Sequence, residues 1–523
     1  MSRSRWAVLV LIGFVTVLTG AIWVRAPGYM DADYYFAIAK QISSGAGLNE
    51  PFIWTYIANP MSILHPSNLY WMPLTSFLAT VPMLLLGNSF RAAQIPFLLL
   101  TAFLPFGVAW FSLSVHKNPS HAYRSGWLAA FSGFFYPYFI TTDMFILFAW
   151  IGLGVFFLFQ RAGDSKRWQP WFLLGMLIGL AHLARADGWL FILPASVVIA
   201  SLPEGRKKRA LFLLGGYIVI SGPWFLRNLS IVGSPLAPGV GTTLWLTSYE
   251  EFFRYPSTGI SFSHWLDTGI PQALLARIQA LGVNLERIIA ENGLIFLSPL
   301  IILGGLKLKH AVSIRMAALY SLMLLVVMTV IFPFAGMNGG IFHSSAAVMP
   351  VAWCLAPVGL ETFIEWGVRR RGWERSRART LFHPAVIGIA VLITITTFYL
   401  RAIGNDVRMP RWVWPQATYQ NVGEYMADRS ADHQPVAVNN PPGYWVATGT
   451  SAIVIPTGSQ GALYESMHRY GVEWVILDAN RPRVWRAVFE REDLPDWLEF
   501  VGELPAEDDR PIRIFKLAAG GSP

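Results

Sequence analysis

A polytopic transmembrane helical bundle, mainly α, followed by a small α/β unit, is the fold class this sequence predicts. Three observations predict it. Of 523 residues, 54% are apolar and only 14% carry charge, against about 25% charged in an ordinary soluble domain, and the mean hydropathy is +0.44. The uncharged residues fall in long unbroken stretches. The net charge of +9 resides mostly in short basic clusters between those stretches, the pattern by which a membrane protein fixes its orientation. It does not describe a nucleic-acid surface. A soluble enzyme, a disordered scaffold and a disulfide-stapled secreted module are excluded, and the single cysteine, Cys354, has no internal partner.

A membrane span needs about 20 mostly apolar residues. Trp6–Val24 is uncharged between Arg5 and Arg25. The run is long for a signal peptide and lacks a small-x-small cleavage site before Arg25, so it reads as an uncleaved first helix with a cytoplasmic N-terminus. Further uncharged stretches run Ala92–Val115, Ser125–Thr142, Met144–Gln160, Trp168–Ala184, Gly188–Pro203 and Ala210–Leu226. After them come Asn292–Leu306, Met316–Leu360 and Thr380–Leu400, the second of these split near Gly336-Met337-Asn338-Gly339-Gly340. The total is about eleven spans.

Charge parity decides the stretch Pro51–Phe90. If Leu69–Leu86 crossed, every later basic loop would change sides. If it lies in the outer interface, Lys117/Arg124, Arg161/Lys166/Arg167, Arg206–Arg209, Lys307/Lys309 and Arg369–Arg379 all face the cytoplasm. Leu69–Leu86 is therefore expected as an interfacial helix.

That topology divides the chain into a transmembrane unit, 1–404, and an outer α/β unit, 405–523. The first outer loop spans 26–90 and a second spans 228–291. In the second, Leu274, Leu275, Ile278, Leu281, Leu285, Ile288 and Ile289 share one helical face, as in an interfacial helix. In the tail, Val436–Val438, Ala452–Ile455 and Trp474–Leu477 read as buried strands and Gln460–Tyr470 as a helix. No internal repeat, P-loop, dinucleotide or zinc signature is evident.

Polar residues outside concentrate just after the first span, in Met30-Asp31-Ala32-Asp33-Tyr34-Tyr35 through Gly45. This is an amphipathic helix whose first turn carries Asp31 and Asp33, and capping of free N–H groups explains a carboxylate there without any chemistry. Residues two apart point to different helix faces, so the pair alone makes a poor metal site. No cofactor is called for, with a divalent metal left open.

Arginines on the outer side run against the charge bias. Arg91 follows the interfacial helix, Arg185 and Asp187 share a tight turn, Arg227 ends a span, and Asp143 begins one. Charges at membrane depth are costly and tend to mark a ligand path, although each alone also fits an anchor or internal ion pair. Together they describe a site for an anionic lipid headgroup, with arginines on a phosphate and the alkyl chain against apolar faces. A carboxylate facing the phosphate would act as general base on an incoming hydroxyl. Sugar transfer from a lipid phosphate fits, because that leaving group departs as an anion and needs no proton donor.

The ordered motifs Asp31-Ala32-Asp33-Tyr34-Tyr35, His65-Pro66-Ser67-Asn68-Leu69-Tyr70-Trp71, Arg91, Thr142-Asp143-Met144, Arg185–Gly188 and Pro223–Asn228 before Gly233-Ser234-Pro235 resemble those of the GT-C class of integral membrane glycosyltransferases. The resemblance is to bacterial relatives of aminoarabinose transferases and protein O-mannosyltransferases, over residues 5–360. It implies a polyprenyl-phosphate sugar donor and inverting transfer on the extracytoplasmic side of a bacterial inner membrane. The acceptor would be a lipid, glycan or protein, and no nucleic acid is involved. It also implies that the acidic residue of the first loop is the base. Members often carry Asp-Glu there, and Ala32 in place of Glu favours Asp31 over Asp33.

Arg185, Arg227 and Arg91 are then expected on the donor phosphate. Asp143, Asp33, Tyr35, His65, His343 and Asp187 are expected to position acceptor or sugar, the histidines also fitting a purely structural role. Tyr34, Trp54, Tyr70 and Trp71 fit sugar stacking and equally an interfacial aromatic belt. The rival class is a transporter or flippase of lipid-linked or anionic solutes, which calls for charges at mid-membrane and paired halves. Neither is seen.

Overall fold

The computed structural model describes residues 1–164, 167–431, 433–505 and 511–518. Lys166, counted above among the basic loop residues, lies outside them. Among the described residues, seven helices are long and apolar enough to cross a membrane: Arg3–Ala21, Phe90–His116, Phe145–Ala162, Arg206–Val232, Val312–Ile331, Pro333–Arg371 and Arg375–Ile403. Ile270–Asn292 and Leu297–Lys307, bent by 90°, make an eighth if they are one span. The chain is an integral membrane protein.

The remaining apolar stretches are shorter or broken. Gln169–Ala184 and Ala186–Ser201 are compact helices, and Ser125–Thr142 breaks after Pro119–Ala130 into a 3-10 turn at Gly133 and a four-residue helix Tyr136–Phe139. Gly133 has φ +62, a left-handed conformation that a hydropathy window does not register.

Helix α1 (Arg3–Ala21) leads into α2 (Met30–Ser43), the amphipathic helix of the first loop. Strands β1 (Asn49–Glu50), β2 (Phe52–Ile53) and β3 (His65–Pro66) follow. Helix α3 (Leu74–Leu86) comes next, its 13 residues held between Pro73 and Gly87, too few to span about 30 Å of hydrocarbon. Its exposed Val81, Leu84, Leu85 and Leu86 suit an interfacial position. Helix α4 (Phe90–His116) then crosses, starting at the Ser89 cap.

The C-terminal segment forms β4 (Val436–Val438), β5 (Ala452–Val454), β6 (Trp474–Leu477), β7 (Leu498–Leu504) and β8 (Ile512–Leu517). The six-stranded sheet has the order β2-β5-β4-β6-β8-β7. Strands β2, β5, β4 and β6 run parallel, β8 pairs antiparallel with β6, and β7 pairs antiparallel with β8. The edge strand β2 belongs to the first loop, so the loop and the C-terminal segment share one sheet.

Candidate functional site

The turn into α2 is fixed from three sides. Gly28 has φ +95 and a Cβ there would collide with the Trp412 indole. The Trp412 Nε1–H donates to the Pro27 carbonyl (2.9 Å), which also accepts from Thr141 (2.9 Å). Helix α2 buries Tyr34, Tyr35, Ala37 and Ile38, so the side chains of its first turn have set directions.

Asp31 and Asp33 point apart, as their spacing requires. Asp33, 4% exposed, accepts from Asn440 Nδ2 at 2.8 Å, and burial pushes its carboxyl up to about 7 against the lowering effect of that bond. It ties α2 to the C-terminal unit. Asp31 turns the other way, with Oδ2 3.3 Å from His343 Nε2. Asp143 lies 3.8 Å from the same nitrogen. Fully buried, Asp143 takes the Tyr29 hydroxyl on Oδ2 and the Met144 N–H on Oδ1 at 2.5 Å. Burial raises the Asp143 pKa above the carboxylate range, and the His343 ring opposes that shift.

His343 follows a kink at Asn338 and Gly339 (φ +108). Its Nδ1 is 2.8 Å from the Gly339 carbonyl, its ring stacks on Phe145 at 4.4 Å, and its Nε2 is buried without a hydrogen-bond partner. Because Nδ1 donates to a carbonyl, Nε2 offers either a lone pair or, in the imidazolium, a second proton. One donor atom from each of Asp31, Asp143 and His343 lies within 4.8 Å of the others. An imidazole nitrogen and two carboxylate oxygens are a donor set that suits a divalent cation, and the orphaned Nε2 fits that use.

Arg185 sits where the chain turns between two helices. A Cβ on Gly188 would run into the Ala181 backbone, so glycine lets the turn close. The Arg185 Nε is 2.9 Å from Asp187 Oδ1 and donates to Ser344 Oγ at 2.7 Å, while Nη2 reaches the Gly340 carbonyl at 3.3 Å. Ser344 in turn donates to Asp187. The Asp187 carboxylate and this bonding outweigh burial and hold Arg185 charged.

A cavity of about 310 Å³ has Asp31, Tyr35, Arg185, Asp187 and His343 in its lining, with Asp143 behind His343 and outside it. Val327, Met328, Ile331, Leu244 and Val240 line it elsewhere, beside Trp54, Tyr70 and Trp71. It is a polar end on an apolar chamber.

The other expected residues stand outside that lining. Arg91 Nη1 donates to the Ala21 and Val24 carbonyls at 2.8 and 3.2 Å, closing the end of α1. Arg227 lies 4.5 Å over the Trp224 ring and reaches the Leu48 carbonyl at 3.4 Å. His65 Nε2 meets Glu50 at 2.7 Å, and Glu50 also accepts from Tyr34 at 2.5 Å, bracing β1 against α2. Tyr29, Glu50 and Ser344 were not singled out from sequence. Tyr29 and Ser344 each adjoin or nearly adjoin a residue that was, and that proximity is their only signal.

Residues 65–223 match the family model described as dolichyl-phosphate-mannose-protein mannosyltransferase. No curated protein sequence matches the chain. Among solved structures, ArnT from Cupriavidus metallidurans bound to undecaprenyl phosphate superposes with a TM-score of 0.55 at 12% identity, over 100% of both chains. The oligosaccharyltransferase of Archaeoglobus fulgidus in complex with Zn and sulfate gives 0.57 at 12% identity, over 90% of this chain and 67% of that one. The Archaeoglobus fulgidus oligosaccharyltransferase AglB with an inhibitory peptide and a dolichol-phosphate gives 0.51 at 11%, over 90% and 69%. At these identities the likeness is one of fold. The chain shares the overall fold of these membrane glycosyltransferases, and its residues 65–223 match a mannosyltransferase family model.

Proposed function

We propose that the protein transfers a sugar from a polyprenyl-phosphate donor to an acceptor hydroxyl, with inversion, at the extracytoplasmic face of a bacterial inner membrane. The observation that carries this reading is a single cavity holding Asp31 and Arg185 at one end and apolar side chains along the rest. An alkyl phosphate has that same division. The neighbours bound to undecaprenyl phosphate and dolichol-phosphate support the choice of lipid.

Arg185 neutralises the phosphate, and Asp187 and Ser344 hold its guanidinium in place. No hydrogen bond engages Asp31 Oδ1 among the described residues, leaving that oxygen to the acceptor. As the acceptor oxygen attacks the anomeric carbon, its proton passes to Asp31. The bond from that carbon to the phosphate oxygen breaks, and its electron pair leaves with the polyprenyl phosphate. A single displacement inverts the configuration. His343 fixes the direction of Asp31, and Asp143, held by the Tyr29 hydroxyl, faces the same imidazole nitrogen. Where a divalent cation is held by Asp31, Asp143 and His343, it supplies further attraction for phosphate oxygens. In this reading Arg91, Arg227, Asp33 and His65 brace the walls.

The test is release of undecaprenyl phosphate when the purified protein is given undecaprenyl-phosphate sugars and a mixed acceptor fraction. Asp31→Asn, nearly isosteric, is expected to lower release by at least about a hundredfold, the low end of general-base contributions. Turnover at the wild-type rate in that variant removes Asp31 from the reaction.

A further inference from the structure

A second and larger cavity, about 820 Å³, lies on the other side of the first turn of α2. Its floor is the carboxyl ends of the parallel strands. Asn439 and Asn440 follow β4, Thr457 and Gly458 follow β5, and Asp478 and Asn480 follow β6, and all of them line it. The chain leaves β4 toward β5 on one side and leaves β6 toward β7 on the other. This crevice is therefore the switch point of the sheet, where open α/β sheets bind ligands.

We propose that this crevice is the acceptor site and that the acceptor it takes is a short glycan, a proposal that rests on the transferase reading above. The position follows from shared walls. Tyr249 and Phe253 line both cavities, and Tyr29 and Met30 line the crevice immediately before Asp31 lines the lipid-side chamber. A ligand in the crevice and a lipid phosphate in the chamber thus meet at the turn bearing Asp31.

The chemistry follows from the lining. Asp478 is fixed by Asn439 Nδ2 at 2.6 Å and by the Asn480 N–H at 2.7 Å, which leaves the Asn439 carbonyl without a donor among the described residues. Trp414, Tyr419, Tyr29 and Tyr249 present rings around the same space. Amide and carboxylate groups match the paired hydroxyls of a sugar, and aromatic faces match its C–H faces. The volume falls in the range of roughly 300–1,000 Å³ that encloses a compact ligand, which sets the length at a few sugar units. An extended peptide would add to an open strand edge, but the crevice lies at strand ends while the sheet edges are β2 and β7.

Retention of the full-length, detergent-solubilised protein on an array of defined di-, tri- and tetrasaccharides, beside serine- and threonine-containing peptides, tests the proposal without any donor. The expected result is retention by a subset of saccharides and not by peptides. Trp414→Ala removes a ring, and Thr418→Trp fills the space from the helix Trp414–Ala427. Each is expected to reduce retention at least tenfold in protein that still elutes as a single species. Retention by peptides alone, or saccharide retention that survives both substitutions, overturns the proposal. Saccharide retention together with no release of undecaprenyl phosphate by the wild type overturns the transferase reading and leaves the saccharide site standing. Release without saccharide retention does the reverse.

Discussion

Arg185 donates to Ser344 and Gly340 and pairs with Asp187, so its guanidinium is held by three groups and still lines the cavity. Arg185→Gln keeps much of the shape and removes the charge. We expect the KM for the lipid donor to rise about ten- to a hundredfold, the weight of one charge-assisted hydrogen bond. Asp187→Asn should raise it less, because under the proposed transfer it would act on the phosphate only through Arg185. Steady-state kinetics against donor concentration checks both. At Asp31, Asp143 and His343, chelation should lower turnover at least tenfold, manganese or zinc should restore it, and His343→Ala should raise the metal concentration needed for half-recovery. His65 carries a pH signature. Burial disfavours its charged ring, but Glu50 at 2.7 Å and the Ile63 carbonyl outweigh that and raise its pKa above the ordinary value. A histidine pKa raised by folding adds stability that is complete below about pH 6.5 and is lost as pH rises through the folded value. Each tenfold gain in proton affinity on folding is worth about 1.4 kcal/mol. The apparent Tm in detergent should therefore fall as pH climbs above about 6.5, and His65→Gln should flatten that fall. Residue spacing made part of this legible: Asp31 and Asp33, two apart, were bound to face different ways. Nothing in the sequence pairs Asp31 with His343, because only the folded bundle brings them together.

At the scale of elements, the bundle closes where glycine lets backbones touch. A Cβ on Gly304 would strike the Leu355 carbonyl, and one on Gly359 would strike that of Leu300, so the helices Leu297–Lys307 and Met349–Arg371 cross in near-contact. Such small-residue crossings drive helix association in lipid, where the hydrophobic effect offers no help between spans. Gly359→Ala should destabilise by about 1–3 kcal/mol, the usual cost of forcing a methyl group into a packed site, read as a lower apparent Tm by tryptophan fluorescence. Long apolar runs were legible because length and charge are enough to find them. The parity of basic loops marked α3 as non-crossing, and its 13 residues agree. Breaks were less legible: Ser125–Thr142 is uniformly apolar yet turns at Gly133. The strands β4, β5 and β6 stood out as short buried runs. Strand β2 did not, because two residues, Phe52 and Ile53, show no period, and its partner lies 400 positions away in the sequence.

For the whole molecule, the C-terminal unit is fastened to the first loop and does not merely cover it. Strand β2 pairs with β5, Asn440 bonds Asp33 at 2.8 Å, Trp412 bonds Pro27 at 2.9 Å, and the Lys40 ammonium lies 5.2 Å from the Trp445 ring. Three of these four fastenings fall on α2 or the turn before it, so we expect the direction of Asp31 to depend on a unit about 400 residues away in sequence. Asn440→Asp tests that dependence in the full chain. It places a second carboxylate against one that is already buried, and two like charges in contact cannot both ionise without cost. The unit should then dock less firmly on α2. Trypsin should cut after Lys40 at least tenfold faster than in the wild type, a readout independent of any acceptor contact in the crevice that Asn440 also lines. Asn440→Ala, which removes the bond without adding charge, should give a smaller change in the same direction. Unchanged proteolysis in both variants would mean that the first loop holds Asp31 in place by its own contact with His343.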